Sequence, residues 1–505
     1  MPITRRTLVA STGALALPRL ARAADAHTTY TARSDREVAS LDPAFRGSPE
    51  DGSIIWAVFQ RLIRFKPGST DWEYDAAAEI KQTSDTVVEF RLKPGQMFTD
   101  GYGEMTSDDV KFSFERVVRG AKESPYKSDW ANLDQVEVTG QYTGRIVMKQ
   151  PTPYLYRIGL ADGSGCIVSR AAMAKLGDRA GLAPVGSGPF RVASLQPRQS
   201  VRLATNPGYA GPPSRWAGIT IRYVPDPQTA ALAFRAGELD FTALTPSTIN
   251  QLRGAADTHI TQSPGLRFIW ISMNVEKKPL NDPRVRQAIQ LGVDVDQILL
   301  AGYNGLAPRA NALIQPQVLG YWKDAPVLKR DVAGAKALLA AAGVPNPRLK
   351  LTVLNQPVFQ TIGLVVQAQL KQIGVDVVLD VRDSGTYWSA GAGDAGRELD
   401  MVLMRFNGKL DPNFDTQWFT SDQVGVWNWS RWRSPEFDRL NAQAGMTMDE
   451  TKRAEMVVQL QKLMAASWAF LWLTYDVDLF ASKTWLKPAV MPTGSDWQLA
   501  QFGLT

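Results

Sequence analysis

Short β-like runs alternate with amphipathic helix patterns along this chain, and that alternation limits its fold more than any other feature. Thr86 to Leu92 alternates apolar and polar residues as a strand does, and Val110, Phe114 and Val117 then recur at helical spacing. Strands and helices in alternation predict α/β lobes. Because a chain of 505 residues exceeds what one hydrophobic core supports, two or three domains are expected.

Several other segments carry the same signals. "WAGITIRYVPD" and "LRFIWISMN" read as strands, and "DPRVRQAIQLGVD" reads as a helix with Asp282 as its cap and Pro283 in its first turn. Further on, the amphipathic stretch "IGLVVQAQLKQIG" ends at Gly374 and leads into the strand pattern "VDVVLDV". The strand pattern "LDMVLMRFNG" follows, and it ends in a glycine turn.

Residues 1–23 have the order of an export signal. Arg5 and Arg6 precede a mildly apolar run, and "ARA" at 21–23 offers small residues at the positions that signal peptidase inspects. The adjacent arginines and the low hydrophobicity of the run favour the twin-arginine route over the general one. No later stretch has the roughly 20 uncharged apolar residues of a membrane span. The sequence therefore predicts an exported, periplasmic protein.

Charge and cysteine content narrow the function classes. Removal of the four arginines of the signal lowers the formal net charge from +6 to +2, so no nucleic-acid partner is implied. Cys166 is the single cysteine, so it cannot form an internal disulfide, and it is expected to be a small buried residue.

Enzyme catalysis needs several reactive side chains close together, and this sequence contains few candidates for such a group. His27 and His259 are its two histidines, and no GxSxG, HExxH or Walker pattern occurs. A periplasmic hydrolase built on His259 or on a pair of carboxylates remains the alternative function. The same scarcity of His and Cys argues against a ligated metal, and no cofactor is expected.

A series of motifs gives the chain a specific resemblance. They run in one order over nearly all of the chain after residue 23: "LDPAF", "VFQRLIRFKPG", "VVEFRLKPGQMFTDG", "SDDVKFSFERV", "GSGPFRVASLQPRQSVRLATNPGYAG", "ITIRYVPDPQTAALAFRAGELDF", "MNVEKKPLNDPRVRQAI" and "QLKQIGVDVVL". In this order the chain resembles the family 5 solute-binding proteins, the periplasmic dipeptide, oligopeptide and nickel receptors of ABC transporters. Because His and Cys are scarce, a receptor for an organic solute is favoured over a nickel receptor.

The resemblance implies a two-lobed periplasmic-binding-protein-like fold of type II, with a ligand cleft between the lobes. By analogy, lobe I comprises residues 24–55, 186–268 and 480–505, an inserted subdomain comprises 56–185, and lobe II comprises 269–479. It further implies a monomer that closes on one small solute, with a hinge near residues 268 and 480, and that delivers the solute to an inner-membrane permease. Peptides, opine-like compounds and sugar-conjugated amino compounds are the solute classes expected.

The resemblance also indicates ligand-binding residues. The turn after the late strand of lobe II lines the cleft in the family, which here brings in Arg405, Asn407, Lys409 and Asp411. Peptide receptors of this type carry an aspartate about three residues before the "DP" pair, where it meets the ligand's ammonium group, and this chain has Lys409 there. Lys409 and Arg405 together favour a ligand with an anionic group, although Asp411 can still meet an amine.

Aromatic residues complete the candidate site. A tryptophan face can stack on a peptide plane, a sugar or an aliphatic chain. Trp270, Trp388, Trp427 and Trp429 lie in segments that border the cleft in the family. Phe45 and Arg46, just after "LDP", resemble the rim of lobe I that touches the ligand from the opposite side.

Overall fold

The computed structural model describes residues 27–491 and 497–505. The export signal expected over residues 1–23 lies outside these residues. The described chain forms three main sheets with helices packed on them, which confirms the α/β class. No helix among the described residues is long and apolar enough to cross a membrane.

A seven-stranded mixed sheet draws on early, middle and late parts of the chain. In spatial order its strands are Thr258–Pro264, Val477–Lys483, Phe241–Leu244, Thr29–Ser34, Gly218–Tyr223, Ser200–Thr205 and Phe190–Gln196. Its helices are Pro49–Val58, Pro227–Arg235 and Ile249–Leu252. Thr29–Ser34 lies parallel to both of its neighbours, and the other pairings are antiparallel.

A four-stranded antiparallel sheet is built from the segment between these parts. Its strands, in spatial order, are Ala77–Ser84, Val87–Leu92, Thr143–Met148 and Leu133–Gly140. The helices of this segment are Ser107–Arg119 and Arg170–Leu176, and the short strands Ile63–Phe65 and Trp72–Tyr74 form a hairpin before it. The Asp109 carboxylate accepts the Thr106 N–H at 2.9 Å, so Thr106 caps the start of helix Ser107–Arg119.

A five-stranded sheet forms the core of the remaining part. Its strands, in spatial order, are Asp376–Arg382, Arg348–Leu354, Met401–Asn407, Arg267–Met273 and Phe470–Thr474. Its helices are Pro283–Gly292, Val295–Tyr303, Val332–Ala341, Pro357–Lys371, Ser384–Ser389, Pro412–Thr416, Pro435–Ala444 and Glu450–Ser467. The strands and helices that the sequence predicted in this part are confirmed.

Two short crossovers join the seven-stranded and five-stranded sheets. The chain passes from strand Thr258–Pro264 to strand Arg267–Met273 through residues 265–266, and it returns from Phe470–Thr474 to Val477–Lys483 through residues 475–476. Each crossover leaves one sheet and enters the other within two residues. Because both crossovers are so short, rotation of the two halves relative to each other would be concentrated there.

The glycines at 186 and 188 are required by packing. A Cβ at Gly186 would lie 2.1 Å from the Val58 carbonyl oxygen, and one at Gly188 would lie 2.7 Å from it. The Gly188 N–H donates to the same carbonyl at 2.8 Å. The "GSGPF" motif therefore brings the chain against the end of helix Pro49–Val58 before strand Phe190–Gln196 begins.

Candidate ligand-binding site

The strand Met401–Asn407 ends between two cavities, and Asn407 lines both. The first, which we call the aromatic cavity, has a volume of about 320 Å³. It is lined by Trp388, Arg405, Phe406, Asn407, Trp418 and Trp427. The second, the interlobe cavity, has a volume of about 240 Å³ and is bordered by residues of all three main parts of the fold.

Aromatic rings set at steep angles wall the aromatic cavity. The Trp427 ring lies 5.8 Å from Phe406 and 6.2 Å from Trp418, at interplanar angles of 86° and 76°. Trp388 approaches Trp427 at 6.4 Å and 68°. Edge-to-face contact is a favourable arrangement of aromatic rings, so these side chains hold one another in place beside the cavity. Such a surface suits a planar or aliphatic group of a small solute.

Arg405 supplies the charge of the aromatic cavity. Its guanidinium is partly buried, and within the described residues it makes no hydrogen bond or ion pair. Burial, reinforced by the positive charge of Arg267, lowers the pKa of Arg405. Asp476, Asp478 and Tyr303 oppose this lowering through their charge. Because none of them is hydrogen-bonded to Arg405, the guanidinium can take an anionic group through two parallel donors.

An ion-pair cluster lies beside the two crossovers, and its charges act on Arg405. Arg267 Nε donates to Asp476 Oδ2 at 2.7 Å, and the same guanidinium pairs with Asp478. Burial raises the pKa of Asp478, and Arg267 opposes that rise. The cluster thus links the first residue of strand Arg267–Met273 to Asp476 of the return crossover and to Asp478 in the strand that follows it.

The interlobe cavity contains Arg46, the residue expected on the lobe I rim. Arg46 Nη2 lies 3.3 Å from Asp162 Oδ1, and its guanidinium carbon lies 4.8 Å from the Tyr126 ring centroid. The Tyr126 hydroxyl donates to the Arg46 carbonyl at 3.2 Å. The other lining residues are Gly47, Ser48, Trp56, Phe65, Arg157, Ile158, Leu266, Asn407, Gly408, Lys409 and Leu410.

Lys409 is held by the inserted segment. Its ammonium Nζ lies 2.5 Å from Asp129 Oδ1, and the Asp129 side chain is 1% exposed. Burial raises the pKa of Asp129, and Lys409 opposes that rise. Lys409 lines the interlobe cavity, and its charge is already paired with that of Asp129.

Asp411 has a structural partner. Its two carboxylate oxygens accept from Arg453 Nη1 and Nη2 at 2.7 and 2.6 Å, and it also caps the helix Pro412–Thr416 through the Asn413 N–H. Both side chains of the pair are at most 3% exposed. An aspartate held in this way has no free oxygen to offer a ligand amine.

Three of the aromatic candidates do not line either cavity. Trp270 is 1% exposed and packs among rings of the five-stranded sheet, 5.1 Å from Phe406. Trp429 is 2% exposed and donates its N–H to the Val426 carbonyl at 3.0 Å. Phe45 is partly buried, with the Lys122 ammonium 4.6 Å from its ring centroid.

Trp418 and Tyr126 are among the lining residues of these cavities that sequence reasoning did not include. Trp418 lies in the short turn Gln417–Phe419, beyond the motif that was used to find the site. Tyr126 precedes the turn Lys127–Trp130, where no motif marks the chain. For Trp418, the one available sequence signal was its position seven residues after Asp411. For Tyr126 there was none.

The residues considered for other chemistry lie elsewhere. His259 is exposed on Thr258–Pro264, the edge strand of the seven-stranded sheet. Cys166 is buried, and burial raises the pKa of its thiol to about 12. Among residues 27–491 and 497–505, no cluster of three or more His, Cys, Asp or Glu is placed to hold a metal ion.

Known proteins share this fold and about a quarter of this sequence. The Probable D,D-dipeptide-binding periplasmic protein DdpA of Escherichia coli (strain K12) is 28% identical over 86% of each chain. The solved structure of MoaA in complex with mannopinic acid, from A. tumefaciens R10, is 26% identical with a TM-score of 0.76, over 95% of this chain and 100% of that one. HbpA2 from Haemophilus parasuis has the same fold, with a TM-score of 0.86 at 23% identity, over 94% of this chain and 100% of its own.

A family model matches the main body of the chain. It is described as "Bacterial extracellular solute-binding proteins, family 5 Middle", and it matches residues 72–426, more than half of the 505. The match includes the four-stranded sheet and most of the five-stranded sheet. It also includes Met401–Asn407, the strand that ends between the two cavities. The chain belongs to the family 5 bacterial extracellular solute-binding proteins.

Proposed function

We propose that this protein is the periplasmic substrate-binding component of an ABC importer, and that it binds one small organic solute and delivers it unchanged to a membrane permease. The solute is a peptide, an opine-like compound or a sugar-conjugated amino compound. It carries an anionic group that meets Arg405. The protein works as a monomer after export by the twin-arginine route, and it needs no cofactor.

One observation carries this proposal: the partly buried Arg405 guanidinium, which makes no hydrogen bond or ion pair within residues 27–491 and 497–505, faces a cavity with aromatic walls. Its volume of about 320 Å³ is at the lower end of ligand pockets, which suits a compact solute. Flat aromatic faces bind the apolar or planar part of such a solute, and the guanidinium fixes its orientation.

Closure of the lobes strengthens the charge interaction. Rotation at residues 265–266 and 475–476 would bring the lobe I side over the cavity and remove water from Arg405. A charge-assisted hydrogen bond in a water-excluded site contributes about 1.5–3 kcal/mol. The interlobe cavity next to Asn407 then accommodates the remainder of a longer solute, between Arg46 and the strand end.

A melting-temperature screen tests the proposal. The panel contains D,D-dipeptides, other peptides, mannopinic acid and sugar conjugates of amino acids, each with its carboxylate free or converted to an amide. A solute that binds only the folded protein adds about 2.7 kcal/mol of stability at 100 times its dissociation constant. We expect a rise in melting temperature for at least one free acid and a much smaller rise for its amide. Failure of the whole panel to shift the transition would contradict the proposal.

A further inference from the structure

Asp129, Tyr126 and Phe414 form a cage around one cation. The Asp129 Oδ1 atom lies 2.5 Å from the Lys409 ammonium, whose nitrogen is 4.1 Å from the Phe414 ring centroid and 5.7 Å from that of Tyr126. A carboxylate with aromatic faces beside it is the arrangement that binds alkylammonium groups. The cage draws on two parts of the fold, because Asp129 and Tyr126 belong to the inserted segment and Phe414 to helix Pro412–Thr416.

The cage is built independently of Lys409. The second oxygen of Asp129, Oδ2, accepts the Ser164 hydroxyl at 3.1 Å, and Ser164 in turn accepts the Trp130 indole N–H at 3.2 Å. These bonds fix the carboxylate within the inserted segment while the lysine reaches it from the other side. Burial and the nearby Asp162 carboxylate raise the pKa of Asp129, so the site disfavours a bare negative charge and favours a cation next to it.

We propose that Lys409 acts as a tethered ammonium ion that fills this cage, and so makes the receptor select solutes with no primary ammonium group at this point of the cleft. The cage borders the interlobe cavity through Tyr126 and Lys409. A solute amine directed there would meet the Lys409 charge and find the carboxylate already paired. Lys409 is thus a specificity-determining residue. The inference rests on the proposed function, because it concerns which solutes the proposed ligand cleft admits.

The lysine also takes the place of a ligand in closure. It brings Phe414 and the helix Pro412–Thr416 against the inserted segment without any bound amine. A solute without an ammonium group therefore leaves this contact intact, whereas one that carries an ammonium group gains nothing from the cage.

Chemical complementation tests the cage without knowledge of the natural solute. Lys409→Ala removes three methylenes and the ammonium group, which n-propylammonium supplies. We expect the variant to melt at a lower temperature than the wild type. We also expect n-propylammonium chloride to raise that temperature in a saturable manner, beyond equal concentrations of sodium chloride and of tetramethylammonium chloride, which has no N–H donor. The wild type, whose cage is full, should show no such specific rise.

Two further variants make the result decisive. Lys409→Ala combined with Asp129→Asn should lose the n-propylammonium response, because the carboxylate is gone. Lys127→Ala is the matched control, since Lys127 pairs with Glu123 at 3.3 Å on the surface with side chains 52% and 78% exposed, and it should show no response at all. If Lys409→Ala does not fold, Lys409→Ser, whose short side chain also leaves the cage empty, takes its place and should show the same specific rise.

Two outcomes would overturn the inference. One is an n-propylammonium response no larger in the Lys409 variant than in the Lys127 control, and the other is a response that survives the Asp129 substitution. Because no organic acid is present in this experiment, failure here leaves the solute screen of the wild type to report on the proposed function separately.

Discussion

Arg453 holds both carboxylate oxygens of Asp411, at 2.7 and 2.6 Å, in a pair closed to solvent. Breaking a buried pair by removing one partner leaves an uncompensated charge and costs about 3–5 kcal/mol. We therefore expect Arg453→Met to lower the free energy of unfolding of the empty protein by about that amount. Denaturant unfolding measures it. The protein that remains folded should keep its solute affinity.

The exposed pair of Lys452 and Asp449, 3.6 Å apart, provides the control for that measurement. Lys452→Met should change the free energy of unfolding by less than about 1 kcal/mol. If Arg453→Met proves as mild as Lys452→Met, or if it abolishes solute binding without loss of stability, Asp411 belongs to the ligand site after all.

Arg405→Gln should weaken solute binding by about ten- to a hundredfold, because the lost charge-assisted hydrogen bond is worth about 1.5–3 kcal/mol. The melting temperature of the empty protein should change little, since the guanidinium has no hydrogen-bonded partner within the described residues. Calorimetric titration beside melting curves of the empty variant measures both. The reverse outcome, unchanged affinity with a large loss of stability, would show that Arg405 balances the charges of Asp476 and Asp478.

Trp418→Ala and Trp270→Ala should separate binding from packing. Trp418 is partly buried at the aromatic cavity, so its removal should lower solute affinity with a modest effect on stability. Trp270 is 1% exposed in the core, where truncation costs about 3–5 kcal/mol. Unfolding curves and titrations of both variants are the measurement. Equal effects of the two substitutions on affinity would contradict the assignment of the aromatic cavity as the ligand site.

Asp415 should make stability fall as pH rises. Its carboxylate is buried, and burial together with the Asp411 charge raises the pKa of Asp415 well above its ordinary value. The folded protein therefore keeps this proton to a higher pH than the unfolded chain does. From the unfolded value of about 3.9 up to the folded pKa, stability declines with pH.

Asp415→Asn removes that titration and should raise the melting temperature at pH 8 relative to the unsubstituted protein, with little difference near pH 4. Melting curves of the two proteins between pH 4 and pH 8 test it. A constant difference across this range would mean that the effect comes from packing and not from the proton.

The order of strands and helices followed from the sequence because each element carries its own local signal. Asp282 caps the helix Pro283–Gly292 by accepting the Arg284 N–H at 2.9 Å, as the Asp-Pro pair predicted. The end of helix Pro357–Lys371 is followed by Gly374 at φ +93°, a conformation that glycine adopts without strain. Caps and turns of this kind are set by neighbours in the chain, so they can be read from it.

The state of each site residue depended on partners far along the chain. The Arg405 pattern, a cation after four apolar residues, lies near the end of a strand that lines a cavity. Lys409 looked the same in sequence, yet its charge is taken by Asp129, 280 residues earlier. Asp411 is likewise taken by Arg453, 42 residues later. Nothing near Lys409 or Asp411 in the sequence indicates those partners.

The most direct test of the central claim is to recover what the cleft holds after a solute has bound. The protein is incubated with a solute that raises its melting temperature, titrated by calorimetry, and then denatured so that the released compound can be identified by mass spectrometry. We expect one solute molecule to bind per chain and to be released with its mass unchanged. Release of a hydrolysed product, or the absence of any saturable binding, would contradict it.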